Sequence, residues 1–120
     1  MGFQVLDGGG VATPDGFQAA GVVAGLKRSG APDMALLHST VPTTVAGAFT
    51  TNAFAAAPVR YDQRVLDGGG TVRAVIVNSG NANACTGEPG DRDARTTAAC
   101  VAEQIGRATS ELQSRQVISY

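Results

Sequence analysis

The chain has 120 residues, with nine basic and ten acidic side chains and a formal charge of −1. It has no block of like charge, which argues against a broad nucleic-acid or membrane-surface footprint. No apolar stretch approaches about 18 residues and there is no basic-then-apolar start, so neither a membrane span nor a secretory leader is expected, and a cytoplasmic location is.

The length suits one domain. Val, Leu, Ile and Phe supply 26 residues and Ala another 20, with no Trp. A core of such small side chains packs backbone closely but buries modest area, at roughly 25 cal/mol per Å². The chain is therefore expected to need more protein beside it.

In chain order, residues 1–12 ("MGFQVLDGGGVA") are glycine-rich and read as a flexible lead-in, and residues 13–120 as the folded portion. "TPDG" at 13–16 is a turn signal, with Pro second and Gly fourth. Residues 17–27 are apolar without helical periodicity and predict a strand with a bend. "SGAPD" at 29–33 predicts a second turn. "MALLHS" at 34–39 predicts a buried strand.

"VAGAFTTN" at 45–52 is rich in β-formers and predicts another strand. "AAAPVRYD" is expected to begin extended, because the residue before proline is pushed away from helical backbone. "QRVLDGGG" predicts a short helix or turn that ends in the glycine run. "VRAVIVN" at 72–78 is the clearest buried strand.

Residues 91–105 predict the best helix. Asp91 is the expected N-cap, and Gly106 the expected terminator. Ala94, Ala98, Val101, Ala102 and Ile105 fall on one stripe. "QVIS" near the end predicts the start of a strand. Strands precede the main helix, so the class is mixed α/β in layers.

Between strand and helix lies "NSGNANACTG", dense in small hydrogen-bonding residues. Ligands commonly bind at the carboxyl ends of strands in α/β folds, and Gly and Asn both tolerate left-handed backbone. Asn78, Ser79, Gly80, Asn81 and Asn83 could therefore form a wall for an amino-acid carboxylate or amine. From the loop's chemistry alone, the favoured reading is a purely structural loop in which the asparagines bond to their own backbone.

Cys85 and Cys100 are the only thiols and His38 the only histidine. That set makes a poor metal site and predicts free thiols, with no metal expected. Sequence gives no reason to pair Cys85 with His38, which reads as a buried or edge histidine. Neither a phosphate loop nor a dinucleotide fingerprint is present. The hydroxyls of "TVPTT" and "TTN" read first as strand residues.

The run "GVATPDGFQAAGVVAGLKRSGAPDMALLHSTVPTTVAGAFTTNAFAAAPV" followed by "VNSGNANACTGEPGDRDA" resembles the N-terminal part of the ornithine acetyltransferase family, the glutamate N-acetyltransferases of arginine biosynthesis. The resemblance covers about residues 10–106, and "GAFTTNAFAAAPV" and "NSGNANACTG" are its most distinctive stretches.

The resemblance implies a layered α/β fold of the N-terminal-nucleophile-like kind, incomplete in this chain. It implies a precursor that cuts itself to expose a threonine at the start of a β chain. That threonine would take acetyl from N-acetylornithine and pass it to glutamate, its own amine serving as base. Some family members also accept acetyl-CoA. No cofactor is implied, and the α and β chains of the family assemble as α2β2.

The family's oxyanion-hole motif, like "STGVIG", would begin one residue past Tyr120, and the nucleophile and the substrate-binding lysine and acidic residues lie further on. No catalytic residue is therefore expected within these 120 residues. "RATSELQSRQ" matches the family less well than what precedes it. Two other readings stay open: a non-catalytic small-molecule-binding domain on the same scaffold, and a hydrolase with an N-terminal nucleophile.

Overall fold

A Pro14–Gly16 turn, in which Phe17 N–H bonds Pro14 O at 3.3 Å, sets the first strand running. The computed structural model describes residues 2–69, 71–108 and 116–119, the last two helical residues and the last strand as backbone only. Strands β1 (Phe17–Val22), β2 (Met34–Thr43), β3 (Val72–Asn78) and β4 (Gln116–Ser119) form one sheet in that order. Helix α1 (Ala57–Asp67) lies between β2 and β3 in the chain, and α2 (Gly87–Ala108) between β3 and β4. The first three strands pair antiparallel, and β4 adds parallel to β3. A parallel neighbour requires a crossover, which α2 supplies. The expected mixed α/β class holds.

Register fixes the faces. Leu36 pairs with Ile76 and His38 with Ala74, so these residues share a side of the sheet. On that side Ala74, Ile76 and Ala98 form the core, with Met34, Leu36, Tyr61, Val101 and Ile105 packed around them. The alanine stripe of α2 is thus the buried one, and Ala94 and Ala98 are almost completely covered. Small side chains there let α2 approach the sheet closely.

Five sequence expectations need correction. The first strand ends at Val22 rather than near residue 27, because Asp33 draws the following backbone N–H groups to its carboxylate. β2 runs on to Thr43 through Pro42 and is half-buried rather than buried. Its register shifts between His38 and Thr43. There the buried Arg73 donates to Ser39 O at 3.2 Å and Thr40 O at 2.8 Å, and proline is tolerated at such an irregularity.

Residues 45–52 form no strand. Thr50 Oγ1 accepts from Asn52 N–H and Asn52 Oδ1 from Phe54 N–H, so local side-chain bonds replace a ladder. Asp91 is not the N-cap of α2, which starts four residues earlier at Gly87, with Pro89 tolerated in its first turn. Gly106 does not end that helix; an interior glycine costs only about 1 kcal/mol.

Other expectations hold. The β3 bounds agree residue for residue with 72–78, and β4 covers "QVIS". The expected extended start holds at Ala56 (φ −61°, ψ 155°) but not at Ala57, the residue before Pro58, which already begins α1; the helix runs longer than the short one expected and ends at Gly68.

Candidate functional site

Where β3 ends, the backbone must turn from the sheet edge to the start of α2 within a few residues. Left-handed conformations at Gly80 (φ 93°), Cys85 (φ 56°) and Gly87 (φ 63°) accomplish this. Gly80 is required twice over. Its backbone conformation suits glycine, and a Cβ there would stand 2.8 Å from Lys27 Cγ. The asparagine loop thus leans directly on the segment 23–33 that follows β1.

That segment is organised by Asp33, a residue read from sequence only as part of a turn. Its carboxylate is buried and accepts from Ala24 N–H at 2.6 Å, Leu26 N–H at 2.6 Å and Lys27 N–H at 2.8 Å. Bonds from Lys27, then Ala24 and Leu26, hold its pKa below the ordinary aspartate value against a smaller opposing effect of burial. Asp33 O also accepts from Ser79 N–H at 2.9 Å, which joins this segment to the asparagine loop. An Asp immediately before an apolar strand and after small turn residues was the available signal.

The two segments, the N-terminal end of α1 and the first turns of α2 enclose a cleft of about 480 Å³. Asn78, Asn81 and Asn83 line it together with Thr86, Asp93 and Thr97 and the apolar Leu26, Met34 and Pro58. Three of the five predicted wall residues therefore converge. Ser79 and Gly80 do not line the cleft; they hold the loop against Asp33 and Lys27.

The asparagines differ in use. Asn78 Nδ2 donates to Asn81 O at 2.9 Å. Asn83 Nδ2 donates to Gly90 O at 2.8 Å, and its Oδ1 accepts a short bond from Thr86 Oγ1. Asn83 O accepts from Ala57 N–H at 3.0 Å, tying the loop to α1. Asn83 is thus a structural joint. Asn78 keeps its amide oxygen as remaining acceptor capacity. Asn81 is exposed, and its main-chain oxygen serves Asn78.

An ion pair between Arg60 and Asp91, 2.7 Å between Nη2 and Oδ1, holds α1 against α2 beneath the cleft. The hydrogen bond from Arg60 holds the Asp91 carboxyl below its usual range. Neutral amides, hydroxyls and one carboxylate suit a small zwitterion or amide better than a phosphate.

Cys85 and Cys100 are both free and exposed. His38 faces a different groove from the asparagine loop, together with Cys100. Its Nδ1 lies 3.3 Å from Gln18 Oε1. Burial, then the Arg73 charge, lowers its pKa. Among the described residues no group of three or more His, Cys, Asp or Glu could hold a metal, and no helix is long and apolar enough to cross a membrane.

A model of the ArgJ family matches residues 18–119. The chain is 56% identical over 103 residues to the arginine biosynthesis bifunctional protein ArgJ of Mycobacterium leprae, covering 85% of this chain and 25% of that protein. It is 49% identical over 113 residues to the chloroplastic protein of that name in Oryza sativa subsp. japonica, covering 92% of this chain and 24% of that one.

Among solved structures, it is similar to the Mycobacterium tuberculosis ornithine acetyltransferase complexed with ornithine. The TM-score is 0.82 and the identity 46%, over 92% of this chain and 58% of that one. The ArgJ protein of Bacillus halodurans gives a TM-score of 0.82 and 36% identity, over 95% and 58%. The chain spans about a quarter of the length of these curated relatives.

Proposed function

Because the chain belongs to the ArgJ family, we propose that it is the N-terminal portion of an enzyme that moves acetyl from N2-acetyl-L-ornithine to L-glutamate in arginine biosynthesis. The observation that carries this reading is the likeness, at 46% identity over 92% of the chain, to an ornithine acetyltransferase complexed with ornithine. The word "bifunctional" in the relatives' name supports a second use, with acetyl-CoA as donor.

In this reading the precursor cleaves itself, and the new N-terminal threonine of the β chain attacks the acetyl carbonyl. Collapse of the first tetrahedral intermediate releases ornithine and leaves acetyl-threonine. The glutamate amine attacks in turn, and a second collapse yields N-acetylglutamate and the free threonine. The chemistry calls for a nucleophile, a base and oxyanion donors, with no metal or organic cofactor. The α and β chains assemble as an α2β2 heterotetramer and act in the cytoplasm.

The contribution of these 120 residues is shape. That Asn78, Asn81 and Asn83 line one cleft, with Ser79 and Gly80 packed on Asp33 and Lys27, supports their reading as an active-site wall. Amides can orient the amino and carboxylate groups of an amino-acid substrate without adding net charge.

The test uses the full-length protein with N-acetylornithine and glutamate. Release of ornithine together with N-acetylglutamate is expected. Free acetate in place of N-acetylglutamate would make the enzyme a hydrolase. No ornithine release from folded protein would make the scaffold a binding module.

A further inference from the structure

On the core side of the sheet, α2 lies against β3 and β4 and α1 against β4 and α2, and among the described residues no helix lies over β1 or β2. Strands are about 4.8 Å apart, so two of them present a strip roughly 10 Å wide. That is about the diameter of one helix with its side chains. A groove of about 710 Å³ runs there, between the strip and the flank of α2. Ala20, Leu36 and His38 contribute from the strands, and Cys100, Val101 and Ile105 from the helix. Leu36, Val101 and Ile105 are only partly buried although they pack on the core.

The groove also holds an unmet polar group. Gln18 Oε1 is an acceptor, so the 3.3 Å approach of His38 Nδ1 assigns the ring proton to Nδ1 and leaves Nε2 an acceptor. That Nε2 is buried and has no hydrogen-bond partner among the described residues. A buried acceptor left unsatisfied is unfavourable, and natural folds rarely keep one. That nitrogen is covered by the chain's own atoms, so what the groove offers an occupant is its apolar lining.

The matched relatives supply the source of that occupant. The chain accounts for 58% of either solved chain, so the same structural unit contains further polypeptide. A layered fold covers an apolar sheet face with helices side by side.

We propose that the groove between β1, β2 and α2 seats a helix from the part of the longer ArgJ protein outside residues 1–120. Its apolar stripe lies on Ala20, Leu36 and Val101. The helix runs beside α2 and completes the helical layer. This inference rests on the reading of the chain as a portion of a longer ArgJ protein.

Two measurements on the native full-length protein test it. The first is the rate at which a maleimide modifies Cys100, followed by peptide mass spectrometry and compared with the same protein unfolded in denaturant. A seated helix makes labelling depend on local opening, so protection of about ten-fold or more is expected. In the second, benzoylphenylalanine replaces the exposed groove residue Gln104 and is photo-crosslinked. The expected adduct is intramolecular, to a helical segment outside residues 1–120. An adduct to a second copy, or an adduct to a small co-purified molecule, would overturn the proposal. Unprotected Cys100 in protein that still transfers acetyl would also overturn it, and the parent reading would stand.

Discussion

Asn83 and Gly90 are joined across the first turn of α2 by a hydrogen bond of 2.8 Å from the side-chain Nδ2 to the main-chain oxygen. The same asparagine accepts from Thr86 Oγ1 and, through its own carbonyl, from Ala57 N–H. One residue therefore ties the loop to both helices, its side chain to the start of α2 and its main-chain carbonyl to the start of α1. Asn83→Ala should lower stability by about 1–3 kcal/mol, because partly buried partners lose their bonds. Asn83→Asp should be no better, since a carboxylate oxygen would then face the Gly90 carbonyl. Urea unfolding of the full-length protein checks both, and an unchanged midpoint for Asn83→Ala would show that the loop is held elsewhere.

Gly90→Ala sets two effects against each other. Helix propensity favours alanine over glycine by about 1 kcal/mol. Against it, an added Cβ would overlap Thr86 Oγ1 and Asn83 Oδ1 and stand 2.7 Å from Thr86 Cβ. Relief requires Thr86 to move, which breaks its bond to Asn83. Overpacking of this kind costs about 1–3 kcal/mol, so the net effect should be a loss. A lower urea midpoint with unchanged slope is expected. A raised midpoint would mean that Thr86 turns away freely.

Asp33 should make the fold acid-sensitive. Its folded pKa is lowered, chiefly by the backbone N–H groups of Lys27, Ala24 and Leu26. The stabilisation is therefore present above the unfolded aspartate value and is lost as pH falls through the lower folded value. Thermal melts from pH 6 down to the acid limit should fall more steeply for wild type than for Asp33→Asn. The variant should melt lower than wild type at neutral pH, since an amide cannot accept all three N–H bonds equally. Parallel pH profiles would remove Asp33 from that role.

How far the sequence foretold this arrangement depends on whether the cause was local. β3 was legible because "VRAVIVN" is dominated by the apolar run at 74–77, and the α2 stripe because its period is regular. The convergence of Asn78, Asn81 and Asn83 was legible from composition at a strand end. The anchoring role of Asp33 was not, because its partners are backbone groups six to nine residues away. The early start of α2 was hidden by Asp91, a good cap residue that instead meets Arg60 from another helix. The missing strand at 45–52 follows from Thr50 and Asn52, whose local bonds to the backbone outweighed the β-propensity of the valine, phenylalanine and threonines around them.

Asn81 separates a working wall from a structural loop. Its side chain is exposed on the cleft, while the loop uses only its main-chain oxygen, as acceptor for Asn78. Asn81→Ala keeps that oxygen, so stability should stay within about 0.5 kcal/mol of wild type. If the amide meets substrate, its loss should cost about 1–3 kcal/mol of binding or transition-state stabilisation, or roughly five- to 150-fold in kcat/KM for acetyl transfer. Asn78→Ala should lower both stability and rate, because it also loses the bond to Asn81 O. The assay is glutamate-dependent ornithine release by the full-length protein, with melting temperatures measured on the same samples. Unchanged kcat/KM and melting temperature for Asn81→Ala would assign the loop to the scaffold. A fall in rate at constant stability would place the Asn81 amide against the substrate.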